Sequence, residues 1–322
     1  MKNGFKALLA MAVALACAAH AQTRIEFPSQ VCVNEKSFLD ACRPITVPGT
    51  YYEASKEAIV LITHGSDGVD ERHHRYARHL RSLGISALVI DHWKPRGVSG
   101  VQSDFVRFAR QGANAQNLVI DIFHAAAHFR GLGYSKVGYL GESMGGGVAV
   151  LLTKAEYQQH FRRVSGAAPE RLDAVVGLYG NCNERYSYDR FLPVPTLLIT
   201  GELDANTPAK TCRDYVAEWV DRRGGQFTFI ELPGQHHDFD AEFPLQKSQS
   251  AQNPAKCISV VDLEKITSTL TGETYPNTPA GWEKWRSRCL MKPNEVNVSY
   301  GHTGDKNTGF KEWGRFFKGA LF

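Results

Sequence analysis

The chain has 322 residues, 43% of them hydrophobic, and a formal net charge of +4 that falls to +2 once Lys2 and Lys6 are set aside. This is enough apolar material for a large core in one domain of the α/β type. The small excess of positive charge argues against a nucleic-acid partner.

At the N-terminus, Lys2 and Lys6 precede the apolar stretch Ala7 to Ala19, and Ala19-His20-Ala21 places small residues where a signal peptidase reads. This predicts a bacterial secretory leader over residues 1–21, cleaved after Ala21, with residues 22–322 as a single domain that is periplasmic or secreted. The apolar run is too short to span a bilayer comfortably. Cys17 offers a rival reading as a lipoprotein acylation site, although Ala14 is a weak residue three positions before it. Six cysteines follow the leader, an even number that favours disulfides in an exported chain. Proximity along the sequence suggests Cys32–Cys42, Cys182–Cys212 and Cys257–Cys289, one of about fifteen possible pairings. No Cys-x-x-Cys or clustered Cys/His spacing suggests zinc, so no metal is expected.

Residues 22–57 carry two cysteines, several prolines and little periodicity, and read as an extension held down by a disulfide. Continuous apolar runs at Ala58–Thr63 and Ser86–Asp91 read as strands buried on both faces of a parallel sheet. A helix is expected from His73 to Leu83, ending at Gly84. Another is expected from Asn114 to Arg130, with Leu118, Val119, Ile122, Phe123 and Ala126 on one face. Further strands are expected at Val137–Leu140, Ala174–Tyr179, Pro195–Thr200 and Phe227–Leu232. Between the last two, Pro208–Asp221 reads as a helix with Thr207 as its cap and Pro208 in its first turn. The alternation predicts a doubly wound, mostly parallel α/β sheet. Residues 245–300 break the rhythm with polar composition, Cys257, Cys289, Trp282 and Trp285, as an insertion stapled by its own disulfide would. A last helix, Asn307 to Leu321, carries Phe310, Trp313, Phe316 and Phe317 at core spacing.

The chemistry centres on Gly141-Glu142-Ser143-Met144-Gly145, which lies between a strand and a helix pattern. A nucleophilic serine on a sharp strand-to-helix turn needs small residues two positions to either side. The following helix start favours developing negative charge. Serine needs a histidine base, and the histidine needs a carboxylate, in the chain order Ser, acid, His. Gly201-Glu202-Leu203-Asp204 follows one late strand and Pro233-Gly234-Gln235-His236-His237-Asp238-Phe239 follows the next. Asp204 is the preferred acid because Glu202 sits at the strand end. His236 and His237 are adjacent, and only one can face the serine. Oxyanion donors are expected at the Met144 N–H and in the loop His64-Gly65-Ser66-Asp67-Gly68, at Ser66 or else Gly65. His64 reads as a support for that loop, and His73 and His74 as solvated helix residues near the cleft.

Taken together, these segments resemble the dienelactone hydrolase-like branch of the α/β-hydrolase superfamily. The resemblance rests on His64-Gly65, Asp91-His92-Trp93-Lys94-Pro95-Arg96-Gly97, the turn at 141–145, Gly201–Asp204 with Thr207-Pro208, and Gly234–Phe239. It covers roughly residues 55–245 and the last helix. It implies an α/β-hydrolase fold with the insertion before the last helix, and it favours His237 over His236. It also implies that Asp91, Arg96 and Gly97 are conformational. Cys182 lies just before the acid-bearing strand and Cys212 just after the acid loop, so a bridge between them would brace Asp204. Dienelactone hydrolases proper use a cysteine nucleophile, whereas residue 143 is serine, which shifts the expected substrate from a dienelactone to another small-molecule ester. The expected protein is a serine esterase using Ser143, Asp204 and His237. It would need no cofactor, and it would not insert into the membrane once its leader is removed. A serine peptidase of the acyl-peptidase type would share these residues. A non-catalytic binding protein on the same fold is a third reading, which the full set of three groups opposes.

Overall fold

The run Ala58–Thr63 is buried along its whole length, with alternate side chains entering the cores on opposite faces of one sheet. The structure, a computed structural model, describes residues 22–32, 42–99, 111–248, 253–291 and 298–322. The expected leader at 1–21, with Cys17 and the cleavage position, lies outside the described residues.

In chain order the first half comprises β1 (Thr23–Cys32), β2 (Cys42–Tyr52), β3 (Ala58–Thr63), α1 (Glu71–Ser82), β4 (Ser86–Ile90), α2 (Ala115–Gly131), β5 (Lys136–Glu142), α3 (Met144–Leu152) and α4 (Ala155–Ser165). There follow β6 (Ala174–Leu178), β7 (Glu184–Tyr186), β8 (Pro195–Gly201), α5 (Ala209–Tyr215) and β9 (Gln226–Leu232). The remainder holds β10 (Gln246–Ser248), β11 (Ser259–Val261), β12 (Lys265–Ser268), β13 (Thr274–Pro276), α6 (Pro279–Cys289), β14 (Val298–Tyr300) and α7 (Phe310–Leu321). The main sheet runs β1-β2-β4-β3-β5-β6-β8-β9. Strands from β4 to β9 in that order are parallel, and β1 and β2 are antiparallel.

Helices cover both faces. Ile59 and Leu61 pack with Leu118, Ile122 and Phe123 of α2 and with Val148 of α3 on one side. Val60 and Ile62 pack with Tyr76 and Leu80 of α1 and with Trp313 and Phe317 of α7 on the other. Each such side chain, fully buried, contributes about 1.5–3 kcal/mol. Local signals fix the helix starts. The Asp70 carboxylate accepts the Arg72 N–H at 3.0 Å, and Asn114 Oδ1 accepts the Asn117 N–H at 3.0 Å, so both helices begin with a side-chain cap.

Two expectations are corrected here. The described parts of residues 22–57 are not an irregular extension, because β1 and β2 pair antiparallel on the sheet edge, with Phe27, Val31 and Val47 buried. The alternation Ile25, Phe27, Ser29, Val31 is the strand period that prolines and cysteines obscure. Thr207 does not cap α5, whose first residue follows Pro208 without a side-chain cap. Its hydroxyl is used elsewhere, as described below.

Disulfides join Cys32 to Cys42, Cys182 to Cys212, and Cys257 to Cys289. Between 245 and 300 the chain makes a β10–β14 pair and the antiparallel β11–β12–β13, with β7 added parallel to β11. Val261, Ile266, Tyr275 and Trp285 give this region its own small core around the third disulfide. No helix among the described residues is long and apolar enough to cross a membrane.

Candidate active site

Four loops meet at the carboxyl ends of β3, β5, β8 and β9, the end of a parallel sheet where ligands generally bind. β5 delivers Ser143 into a turn with φ 49° and ψ −108°, a strained conformation for a non-glycine residue. The turn is possible because of its glycines. A Cβ at Gly141 would lie 2.4 Å from the Gly145 carbonyl oxygen, and one at Gly145 would lie 2.8 Å from that of Thr63. The Ser143 hydroxyl therefore stands at the start of α3.

His237 Nε2 lies 3.2 Å from Ser143 Oγ, and His237 Nδ1 lies 2.8 Å from Asp204 Oδ2. Asp204 is 3% exposed and fully occupied. Its Oδ1 accepts the backbone N–H groups of Asn206 and Thr207, both at 2.8 Å, and its Oδ2 accepts the Thr207 hydroxyl at 2.7 Å. With Nδ1–H donating to this carboxylate, Nε2 turns its lone pair toward Ser143, with Asn206 Nδ2 also 3.4 Å away. Burial disfavours the imidazolium, but the adjacent Asp204 carboxylate outweighs it and raises the His237 pKa to about 9. The half-buried His236 does not approach the serine in this way, and the exposed Glu202 instead accepts the Gly234 N–H at 2.8 Å.

The loop after β3 passes over the serine turn. The Gly65 N–H donates to Glu142 Oε1 at 2.5 Å, so it is committed, while Trp93 Nε1 holds the Ser66 carbonyl at 3.0 Å. His64 is fully buried between the Gly65 carbonyl, 2.7 Å from Nδ1, and the His92 N–H, 3.2 Å from Nε2. Burial holds its pKa well below the usual value, so it is a neutral support for the loop. His73 and His74 differ from expectation. His73 is wholly buried, 2.8 Å from Asp70 and 3.3 Å from Glu142, and the half-buried His74 pairs with the Tyr52 hydroxyl at 2.7 Å. Arg96 is buried against Asp121, and Asp91 Oδ1 accepts the N–H groups of Trp93 and Lys94, which makes that segment a structural corner.

Several neighbours escape the sequence. Tyr179, at φ 36°, packs edge-on against His237 with centroids 4.9 Å apart, and its carbonyl lies 3.0 Å from Thr207 Oγ1. Tyr300 of the 245–300 segment packs on the same imidazole at 5.5 Å, and Asn253 Nδ2 donates to the Ala205 carbonyl at 2.7 Å. That segment thus touches both the acid and histidine loops. Among the described residues, no group of three or more His, Cys, Asp or Glu is arranged to hold a metal ion.

Strand order, the helices on both faces and the serine turn define an α/β hydrolase. The chain belongs to the dienelactone hydrolase family, whose model matches residues 49–261. Solved structures similar to it include a putative dienelactone hydrolase from Klebsiella pneumoniae subsp. pneumoniae. That protein is 16% identical over 68% of this chain and 89% of its own, with a TM-score of 0.46. A dienelactone hydrolase from Anabaena variabilis is 21% identical over 66% and 88%, with a TM-score of 0.43. A cold-adapted esterase from an Arctic intertidal metagenomic library is 19% identical over 66% and 86%, with a TM-score of 0.46. No curated protein matches the sequence.

Proposed function

We propose that this hydrolase is exported and cleaves a small carboxylic ester through an acyl-enzyme on Ser143. The observation that carries this reading is the line from Ser143 Oγ through His237, 3.2 Å away, to Asp204, 2.8 Å further on. Ser143 Oγ attacks the ester carbonyl while its proton passes to His237 Nε2. Asp204 holds the imidazole tautomer and stabilises the imidazolium. The tetrahedral oxyanion is bound by the N–H groups of Met144 and Ser66, since the Gly65 N–H is already committed to Glu142. Collapse expels the alcohol, which takes the proton from His237. Water then attacks the acyl group by the same route in reverse.

Three observations support ester chemistry and export. A dienelactone is itself a cyclic ester, so the family links the chain to acyl–oxygen cleavage. Three disulfides fit an oxidising compartment. The leader pattern at residues 1–21 supplies the route. A fluorophosphonate probe tests the nucleophile: the wild type should be labelled and Ser143→Ala should not. An unlabelled wild type, or equal labelling of the variant, would refute the reading. Short-chain p-nitrophenyl esters should be turned over in preference to aminoacyl anilides, and turnover of anilides alone would reassign the protein as a peptidase.

A further inference from the structure

The proposed chemistry leaves unused a group of charged side chains directly behind Ser143. Arg72 is 3% exposed, Glu142 2%, Asp238 9%, and His73 and Asp240 not at all. Buried ion groups are a weak source of stability, because desolvation consumes most of their mutual attraction. What these charges hold is more telling.

Glu142 immediately precedes Ser143. Its Oε1 accepts the Gly65 N–H at 2.5 Å and lies 3.3 Å from His73 Nε2 and 3.8 Å from Arg72 Nη2. The approach is close enough that a Cβ at Gly65 would sit 2.8 Å from both Glu142 carboxylate oxygens and 3.0 Å from Ser143 Cβ. The carboxylate is therefore the floor on which the loop carrying Ser66 rests. On its other side, Arg72 Nη1 donates to Asp238 Oδ1 at 2.7 Å and to the Tyr179 hydroxyl at 2.9 Å, and that hydroxyl donates to Asp240 Oδ1 at 2.7 Å. Asp238 follows His237 and has φ 55°, while Tyr179, against the His237 ring, has φ 36°. Non-glycine residues persist in that region only where their surroundings over-determine them. Arg72 is the common partner of both.

We propose that Glu142 and Arg72 are positioning residues for acyl transfer. Glu142 fixes the loop so that the Ser66 N–H faces the oxyanion, and Arg72 fixes the Asp238 backbone so that His237 stays on Ser143. The proposal rests on the serine-hydrolase reading above. Burial opposes ionisation of Glu142, but Arg72 and His73 outweigh it and hold its pKa down to about 2, so the latch is charged throughout the neutral range. The effect belongs to the transition state: displaced oxyanion donors and a displaced base slow the chemistry without altering how the ground-state ester binds.

The test compares the full-length wild type with Glu142→Gln, Arg72→Lys and Arg72→Met. The measurements are kcat and KM on p-nitrophenyl acetate, the rate constant for fluorophosphonate labelling, and thermal melting. Glu142→Gln and Arg72→Met should lose about 10–100-fold in kcat and in labelling rate, with KM nearly unchanged. Arg72→Lys, which keeps the charge but not the forked reach, should recover part of the Arg72→Met loss. Wild-type kcat in a folded Glu142→Gln protein overturns the proposal. So does a KM that rises as far as kcat falls, or failure of both Glu142→Gln and Arg72→Lys to fold, since the role is then stability alone. A wild type that resists the probe removes the serine-hydrolase reading itself and this proposal with it.

Discussion

Two buried ion groups lie on opposite faces of the sheet and are built from the same residue types. On the α2 side, Arg96 donates to Asp121 at 2.8 and 3.2 Å, to the His92 carbonyl at 2.8 Å and to the Gly112 carbonyl at 3.0 Å. Asp121 also meets His92 Nδ1 at 2.8 Å and the Ser29 hydroxyl at 2.5 Å. Every guanidinium nitrogen there is used, and the group joins β1, α2 and the corner after β4. On the α1 side, Arg72 Nε is buried without a partner among the described residues, and two of the residues that Arg72 Nη1 holds have positive φ. Buried charge alone does not mark function. The first group pins pieces of the frame, and the second ties together the loops that carry Ser143, Ser66 and His237.

The largest effect is expected at the histidine. His237→Ala should lower kcat/KM by about 10⁵–10⁶, as expected when one member of an interdependent set is removed. His236→Ala should stay near wild type in the same assay, and loss of activity only at His236 would reassign the base. Asp204→Asn should cost about 10⁴ in kcat through loss of the correct tautomer. It also has a signature in pH. The active imidazole is neutral, so the rate should rise with pH through the raised His237 pKa, near 9. Without the Asp204 carboxylate, burial disfavours the imidazolium against only the Asp238 and Glu142 charges, so the limb should move to lower pH.

The frame group should respond in stability alone. Asp121→Asn leaves Arg96 buried without its counter-charge and should cost about 3–5 kcal/mol in denaturant unfolding, with kcat per folded molecule unchanged. Burial opposes ionisation of Asp121, but the Arg96 charge prevails and holds the carboxyl near 2, below its unfolded value. The stabilisation it brings is therefore present above about pH 4 and is lost as pH falls through 2. Asp121→Asn should flatten that part of the acid-unfolding curve. A large fall in kcat there would erase the distinction between the two groups.

How far the sequence could anticipate this follows from range. Ser143, Asp204 and His237 each sit in a loop after a strand whose own residues reveal it, so short-range patterns are enough to place them. The strands of β1 and β2 are harder, because Pro28, Pro44 and Pro48 interrupt an alternation that only pairing with β4 completes. Arg72 and His73 lie in Glu-Arg-His-His-Arg, which reads as a solvated helix face. Besides the nearby Asp70, the distant Glu142, Asp238 and Asp240 pair with these buried side chains, and no local pattern announces contacts across 69 to 168 positions. Glu142 was visible inside the serine motif, but its carboxylate gains a role only through Gly65.

Thr207 gives the smallest predicted effect and the finest test. Its hydroxyl, 2.7 Å from Asp204 Oδ2, also lies 3.2 Å from His237 Nδ1, so it shares the carboxylate oxygen that the histidine uses. Thr207→Val keeps the shape and removes the donor. A hydrogen bond to a charged group is worth about 1.5–3 kcal/mol. Only the part that acts on imidazolium formation reaches the rate, so kcat should change by no more than about tenfold. The direction of the pH shift is the sharper readout. With one donor gone, the Asp204 charge is less spread and attracts the imidazolium more strongly, so the limb should move to higher pH, opposite to Asp204→Asn. A shift in the same direction for both variants would mean that Thr207 acts by placing the carboxylate, through its contact with the Tyr179 carbonyl, and not by tuning its charge.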